Sequence, residues 1–455
     1  MLCRASGHLT SLILLLTATA ALSPLASTNS LTSEPPQRPS QIDPEEHNRL
    51  GVKYLSEGNL DSAAGEFKAA AAARPKYAEA LCNLGVVLGR QGKEQEAEQT
   101  FREAIQGNPQ FEDAYVNLSL LLERQKRLGE ARAVAARAVS IAPADPRAYT
   151  VLGSVQAKLG QLEEAAGSFR KVTQLDPLSA DAHLNLGIAL AEMSESQRVD
   201  LTQALAEFSQ AVRLAPNSAA AHYHQGRALY NLARYAEGEP ELETANKLQP
   251  GDPASLYVLA LTEAQLGCIR RSDELLQQVA ALDPRNAKVY YFLGRNLLRE
   301  GDAAGAIAQW RKAVELDRDD GPSLYNLSLV LRRTDLPAAQ AYGVRYLQLQ
   351  NRHRVTKLAE SARLAAEAAA QKGDWPGAIE QLSQAVAVCG DCAIQFDLRK
   401  TLGLAYCYAD KLDEGERELR KVLQRHPADV DAQRGLEIID YLKSERMGGK
   451  NQGPE

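Results

Sequence analysis

Two cysteines near the carboxyl end form the sharpest chemical motif of the sequence. Cys389 and Cys392 enclose a Gly-Asp pair, a spacing that suits a redox pair, half of a zinc site or a local disulfide. No strand–helix pattern of a redox domain surrounds them, and Cys407 and His426 lack the paired spacing of further zinc ligands. The amino terminus, described below, favours export to an oxidising compartment, where disulfides persist. We therefore predict a structural disulfide and no metal site.

Other reactive side chains form no catalytic constellation. His222 and His224 are two residues apart on a predicted helix, where side chains at that spacing point about 200° apart and cannot readily share a metal. The sequence has no Gly-x-Ser-x-Gly, no His-Glu-x-x-His and no glycine-rich phosphate loop. These observations predict a protein that is not an enzyme and uses no cofactor.

Composition and charge narrow the classes of partner. The 455 residues are 45% hydrophobic, as in a folded protein, and 52 Lys and Arg stand against 58 Asp and Glu, for a net charge of −6. A basic surface for nucleic acid is therefore not expected.

The amino terminus has the layout of a secretory signal peptide. In residues 1–22, Arg4 precedes an uncharged apolar run, and Ala18-Thr-Ala20 offers a small-residue cleavage site. The run is shorter than the roughly 20 residues that a spanning helix needs, although an uncleaved anchor is the alternative. Residues 23–43 are rich in Ser, Thr and Pro and are predicted to form a linker. We expect an exported protein, periplasmic or secreted, with no membrane span after the signal is removed.

The elements that must position any site follow a strict repeat. Prolines recur every 34 residues, at Pro75, Pro109, Pro143 and Pro177, and again at Pro216, Pro250 and Pro284 after an insertion of five. Small residues share the period, at Gly51, Gly85, Ser119, Gly153, Gly187, Gly226, Ala260, Gly294 and Ser328. So do bulky residues, at Phe67, Phe101, Phe169, Phe208, Leu242, Leu276 and Trp310. We predict that each small residue lets a second helix approach closely and that each bulky residue fills the space between units.

The period and these columns resemble the tetratricopeptide repeat, a helix–turn–helix unit of 34 residues. Residues 80–109 carry the family's Leu-Gly pair and its Ala, Phe, Ala and Pro in their places. About eleven units fit between residues 44 and 429, followed by a capping helix at 430–446 and a disordered tail at 447–455. The pattern weakens after Asp317, and the boundary near Asn351–Val355 stays open. The resemblance implies an all-α fold, a right-handed superhelical α-solenoid with concave and convex faces.

The resemblance also implies where a ligand lies, because in the family one face of the first helices lines the binding groove. On that face asparagines recur at position 6, tyrosines at position 5 and arginines at positions 9 and 13. The candidate residues are Asn83, Asn117, Asn185, Asn326, Tyr223, Tyr257, Tyr291, Tyr325, Arg90, Arg124, Arg295 and Arg299. We expect these asparagines to be exposed and free to hold a peptide backbone, since an amide both donates and accepts. The Lys and Asn clamp of the chaperone-binding members is not reproduced, because the fourth unit has Arg147 and Val151.

Two functions remain open at this point. The favoured one is a non-catalytic scaffold or adaptor that binds partner proteins or extended peptides in the groove, outside the cytoplasm. The alternative is a structural subunit of a cell-envelope or secretion assembly that uses the convex face. Binding that depends on the groove residues is expected only for the first.

Overall fold

The computed structural model describes residues 43–197, 201–390, 392 and 394–448. The predicted signal peptide, the linker up to residue 42 and the tail from residue 449 lie outside the described residues.

Throughout the described ranges the regular structure is helical, and they contain no strand. The helices are α1 (Pro44–Ser56), α2 (Leu60–Ala73), α3 (Ala78–Arg90), α4 (Glu94–Gly107), α5 (Glu112–Arg124), α6 (Leu128–Ile141), α7 (Pro146–Lys158), α8 (Leu162–Leu175), α9 (Ala180–Gln197), α10 (Thr202–Leu214), α11 (Ala219–Asn231), α12 (Tyr235–Leu248), α13 (Pro253–Leu266), α14 (Ile269–Leu282), α15 (Ala287–Arg299), α16 (Ala303–Leu316), α17 (Gly321–Val330), α18 (Leu336–Gln371), α19 (Trp375–Cys389), α20 (Gln395–Tyr408), α21 (Leu412–Arg425) and α22 (Val430–Gly448). A 3-10 turn, Leu331–Arg333, follows α17. The all-α class and the repeat solenoid are confirmed.

The described residues form two compact units, which divide between Leu121 and Leu122. In the first, α1 packs on α2, α2 on α3, and α3 on α4. In the second, each helix from α6 to α22 packs on the next in the chain, so that hairpins stack in sequence order. Stacking of this kind buries apolar faces that no single hairpin can bury alone.

The small and bulky columns meet inside the hairpins, whereas we expected the bulky residues to fill the space between units. In the first unit a Cβ built on Gly85 comes within 2.5 Å of the Phe101 ring. In the second, one built on Gly294 comes within 2.5 Å of Trp310, a fully buried residue. The absence of a side chain in one column therefore makes room for the ring in the other.

The local signals that start and stop the helices are also visible. The Asn59 side chain accepts a hydrogen bond from the Ser62 amide at the start of α2, and Asp252 caps α13 on the Ser255 amide in the same way. The helices that precede the recurring prolines, such as α2 before Pro75, end two residues earlier.

A left-handed turn at position 15 of the repeat joins the two helices of most hairpins. It is occupied by residues with positive φ: Gly58, Gly92, Lys126, Gly160, Ala233, Gly267, Gly301, Gly373 and Asp410. Glycine adopts this conformation without steric cost, whereas a Cβ makes it unfavourable.

Helix α18 departs from the hairpin pattern. It runs without interruption for 36 residues, through the Asn351–Val355 segment where the sequence leaves the boundary between two units open. Arg352 stands there at the position that proline holds in the earlier units, so neither a proline nor a glycine stops the helix. No described helix is both long and apolar enough to cross a membrane.

Candidate functional site

The asparagines of the first unit bridge neighbouring hairpins rather than face solvent. Asn83 Nδ2 donates to Asn48 Oδ1 on the preceding first helix, at 3.0 Å. Asn117 Nδ2 donates to the Asp113 carbonyl at 2.8 Å and lies 3.5 Å from Cys82 Sγ. Both side chains are partly buried. Our expectation of exposed, free asparagines was therefore wrong here, because adjacent first helices approach closely enough for the amides to be used within the stack.

In the second unit, position 6 is also partly or fully buried. Asn185 is only 7% exposed, and Asn326 is partly buried. His224 takes the same position in its repeat, and its ring stacks on Phe208 with centroids 5.5 Å apart. Burial, together with the nearby Arg227 charge, lowers the pKa of His224 to about 3.

The tyrosine column, which we call the aromatic wall, contains separate groups of contacting rings. Tyr257 and Tyr291 both contact the edge or face of Phe292, with centroid distances of 5.8 Å and 4.9 Å. Tyr223 is partly buried, whereas Tyr325 is 46% exposed and lies 5.3 Å from the Tyr346 ring. Burial raises the pKa of Tyr257, so its phenol stays protonated and can donate a hydrogen bond at neutral pH.

Arg295 lies against this wall. Its guanidinium carbon is 4.5 Å from the centre of the Phe292 ring, a cation–π distance. The Nε and Nη2 atoms are buried and have no hydrogen-bond partner among the described residues. Burial lowers the pKa of Arg295, and the neighbouring Arg299 charge acts in the same direction.

The remaining arginines are placed differently. Arg299 donates from Nη1 to the Ala264 carbonyl at 2.9 Å, which ties α15 to α13. Arg90 in α3 and Arg124 in α5 are exposed on their own helices.

The fold therefore brings together a group that we call the tyrosine–arginine cluster: Tyr230, Tyr257, Tyr291, Phe292 and Arg295. Sequence reasoning found three of these and missed two. Phe292 could have been predicted, because it occupies position 6, where four other repeats carry asparagine. Tyr230 lies outside the columns, and only the stacking of α11 on α13 reveals it.

The Cys389–Cys392 pair is joined by a disulfide at the end of α19, with Cα atoms 5.0 Å apart. Cys407, the nearest other thiol in sequence, donates to the Gly403 carbonyl within α20. Among the described residues, Glu239, Glu243 and Glu263 bring carboxylate oxygens within 4.8 Å of one another. Arg271 pairs with Glu243 and Glu263, so two of the three carboxylates already have a cation.

Family comparisons agree with this repeat architecture. The tetratricopeptide repeat model matches residues 48–112, 193–253 and 257–322, a second model of that description matches 88–155, and a TPR repeat model matches 153–194. Together the matches cover more than half of the chain. The chain is a tetratricopeptide repeat (TPR) protein. As such it is a protein–protein interaction scaffold.

Three solved structures illustrate the similarity of this chain to known proteins. YrrB, described as a TPR protein with an unusual peptide-binding site, is 20% identical, with a TM-score of 0.37 over 42% of this chain and 95% of that one. MamA from Desulfovibrio magneticus RS-1 is 26% identical, with a TM-score of 0.35 over 38% of this chain and 96% of that one. The pilF protein of Pseudomonas aeruginosa is 22% identical, with a TM-score of 0.38 over 45% and 96%. No curated protein matches the chain significantly.

Proposed function

We propose that this TPR protein binds extended peptide segments of partner proteins on the first-helix face of its second unit, without catalysing a reaction. The tyrosine–arginine cluster carries the proposal, because it combines amphipathic rings with a partly buried guanidinium that lies over the Phe292 ring. Tyr and Arg are the residue types that contribute most to binding at protein interfaces.

The solvent exposure of Tyr325, in the aromatic wall, supports the same proposed function. Tyr325 keeps 46% of its surface in solvent although it stands in a column of packed rings. A phenol ring of this kind offers apolar area at little entropic cost and a hydroxyl that can bind a peptide backbone.

Selection from a displayed library of random twelve-residue peptides tests the proposal. The wild-type chain and the Tyr291→Ala/Tyr325→Ala variant would be used as targets in parallel. We expect the wild type to enrich a defined family of sequences, and the variant to bind those peptides at least tenfold more weakly, since losing two ring contacts removes several contributions of about 1 kcal/mol.

The chain offers a matched control for that variant. Leu347 and Leu358 are 66% and 53% exposed on α18 and belong to no part of the cluster. Leu347→Ala/Leu358→Ala removes similar apolar area from a different surface, and it should leave peptide binding unchanged. Equal loss in both double variants, or in neither, would contradict the assignment of the face.

A second candidate function rests on that same α18 surface. Leu336, Val344, Leu347 and Leu358 project from one side of the helix and are each more than half exposed, which is unusual for a row of apolar side chains. A structural subunit of an envelope or secretion assembly could use such a stripe. Co-purification with large partners that is lost in Leu347→Ala/Leu358→Ala but kept in Tyr291→Ala/Tyr325→Ala would favour this function.

We further propose that the protein acts after export, as the layout of residues 1–22 indicates. Mass spectrometry of the protein from its native host should find a chain that begins after roughly residue 20. An intact Met1 on membrane-bound material would instead support an uncleaved anchor.

A further inference from the structure

We propose that the amino-terminal part of α18, residues 336–359, binds the surface of a lipid bilayer that contains anionic headgroups. Its exposed apolar row enters the boundary of the acyl chains, and its basic side chains lie at the headgroups. The row consists of Leu336, Val344, Leu347 and Leu358, which we call the α18 stripe. The inference is independent of the peptide-binding face, and it gives the stripe an occupant other than the assembly partner of the second candidate function.

The apolar side chains of the α18 stripe lie on one side of the helix. Leu336, Leu347 and Leu358 recur every 11 residues, which is about three helical turns, so they stand nearly in line. Val344 lies about 60° from Leu347 around the helix axis, on the same side. All four are more than half exposed, along a row about 33 Å long. Such a continuous exposed row is typical of a helix that lies in a membrane interface, whereas single exposed leucines are ordinary.

The charge of the same segment is opposite in sign to that of the chain. Residues 336–359 contain no Asp or Glu, although the whole chain has a net charge of −6. Two exposed arginines, Arg332 and Arg333, precede α18 in the 3-10 turn. The basic residues of the segment itself are Arg345, Arg352, Arg354 and Lys357. This local positive charge beside an apolar row indicates a ligand that is both anionic and apolar.

Two of these basic side chains are available for headgroups. Arg354 lies in the apolar row itself, and Lys357 lies about 100° to one side of Leu358, where a long side chain can reach the headgroup level. Both are exposed, and neither forms an ion pair with a residue that the structure describes. The other two basic residues of the segment are used within the chain, Arg352 by Asp319 and Arg345 by the Arg318 carbonyl.

The like charges of the segment disfavour a second copy of the chain as the occupant. Two copies packed through their leucines would bring Arg354 and Lys357 of one copy against the same residues of the other, and like charges repel. A bilayer offers an apolar interior bordered by negative headgroups. One such surface therefore satisfies both the stripe and the basic side chains beside it.

Co-sedimentation with lipid vesicles tests the inference on the full chain. The wild type should bind vesicles of phosphatidylcholine and phosphatidylglycerol in equal parts at least tenfold more tightly than vesicles of phosphatidylcholine alone. Sodium chloride should weaken the first interaction more than the second. Every variant below carries the same residues 1–22, so binding by that segment is common to all and does not contribute to the differences between them.

The stripe is tested by a pair of matched double variants. Leu347→Ala/Leu358→Ala should bind the mixed vesicles at least tenfold more weakly than the wild type, because less apolar area enters the acyl boundary. Leu178 and Leu282 lie outside α18 and are 79% and 53% exposed, compared with 66% and 53% for the pair in the stripe. Leu178→Ala/Leu282→Ala should bind as the wild type does. Since all four leucines are exposed, thermal unfolding should show both variants folded.

The basic side chains are tested in the same way. Arg354→Gln/Lys357→Gln should weaken binding to the mixed vesicles by about fivefold for each charge removed, and it should leave binding to phosphatidylcholine alone unchanged. Arg285 and Arg434 are exposed in other helices or loops and form no ion pair within the described ranges. Arg285→Gln/Arg434→Gln makes the same change in net charge and should have little effect, which separates the local charge from the total charge.

Tryptophan quenching by brominated lipids reports whether the stripe enters the bilayer. The wild type contributes a constant background, since Trp310 is fully buried and Trp375 is partly buried. Leu347→Trp should show additional quenching on mixed vesicles that contain brominated acyl chains. Leu282→Trp, at a similarly exposed position of α14, should show none.

The outcomes also separate this inference from the peptide-binding function. No binding of the wild type to the mixed vesicles, or equal binding by Leu347→Ala/Leu358→Ala and the wild type, would overturn it. A protein that binds the stripe through an acidic segment and competes with the vesicles would overturn it as well. The peptide selection depends on Tyr291 and Tyr325, so its failure would leave the vesicle result unchanged.

Discussion

The contact between Gly153 and Phe169 allows the packing of the repeat to be tested within one hairpin. A Cβ added to Gly153 in α7 would lie 2.8 Å from Phe169 Cε1, closer than real Cβ contacts come. Phe169 is 5% exposed, so its ring has no free space into which it can move. Gly167 lies in α8 of the same hairpin, and a Cβ there meets nothing within 4 Å among the described residues. The two glycines therefore differ in surroundings but not in helical state.

The expected free energies follow from two terms. Replacing a helical Gly by Ala stabilises the folded protein by about 0.5–1 kcal/mol at either site, because Ala has the higher helix propensity. At Gly153 the added methyl also overpacks the hairpin, which costs about 1–3 kcal/mol. The propensity term cancels in the difference between the two variants, so Gly153→Ala should be less stable than Gly167→Ala by about 1–3 kcal/mol.

Urea unfolding followed by circular dichroism at 222 nm measures this difference. Phe169→Leu in the Gly153→Ala background should recover part of the loss, since the shorter side chain makes room for the methyl, whereas Phe169→Leu alone should destabilise. If Gly153→Ala proves as stable as Gly167→Ala, the small and bulky columns do not fit together as described.

Four further predictions concern pH, capping, turns and the disulfide. Burial holds the pKa of His224 at about 3, against an ordinary value of about 6.5. Between these pH values the unfolded chain binds a proton that the folded chain does not. The free energy of unfolding should therefore fall by about 1.4 kcal/mol for each unit that the pH is lowered below 6.5. Urea unfolding at pH 7 and pH 5 should show His224→Asn losing about 2 kcal/mol less than the wild type between these values. The Asp429 carboxylate accepts from the Ala432 amide at the start of α22 and pairs with Lys400, and these contacts lower its pKa. Asp429→Ala should therefore lower the free energy of unfolding by about 1 kcal/mol at pH 7. The difference from the wild type should close as the pH falls through the lowered pKa, and a difference that persists in acid would refute the role of the carboxylate. Ala233 has φ of 57° in the left-handed turn where most repeats carry glycine, so Ala233→Gly should raise the stability by up to about 1 kcal/mol, and a decrease would argue against strain there. Thiol counting should find Cys389 and Cys392 unreactive until a reductant is added, and Ala at both positions should leave peptide binding unchanged; stoichiometric zinc in the purified protein would contradict the disulfide.

Most of the fold could be predicted from the repeat period, because each hairpin follows the same local rules. Prolines at a constant interval mark helix ends, and the alternation of small and bulky residues fixes how two helices pack. The same rules bear on the boundary between two units that the sequence pattern left open. Arg352 stands where most earlier units have proline, and α18 continues through it for 36 residues, although α16 ends at Leu316 with Arg318 in the same repeat position.

The candidate site was less predictable, since its properties arise between repeats. Asn48 and Asn83 are 35 residues apart, and only the stacking of α1 and α3 decides that their amides bond to each other instead of to a ligand. Position alone predicted Arg295 but not its unpaired nitrogens, because a missing partner depends on every element packed around it.

Site-specific photo-crosslinking in the native host tests the central claim most directly. A benzophenone side chain would be placed at Tyr325, in the aromatic wall, or at Leu347, on the α18 stripe; both positions are well exposed, at 46% and 66%. We predict that irradiation joins a partner protein at Tyr325 through one extended segment, as peptide mass spectrometry of the adduct would report, and that Leu347 yields no such adduct. Crosslinking at Leu347 with none at Tyr325 would contradict binding on the first-helix face and favour the assembly function.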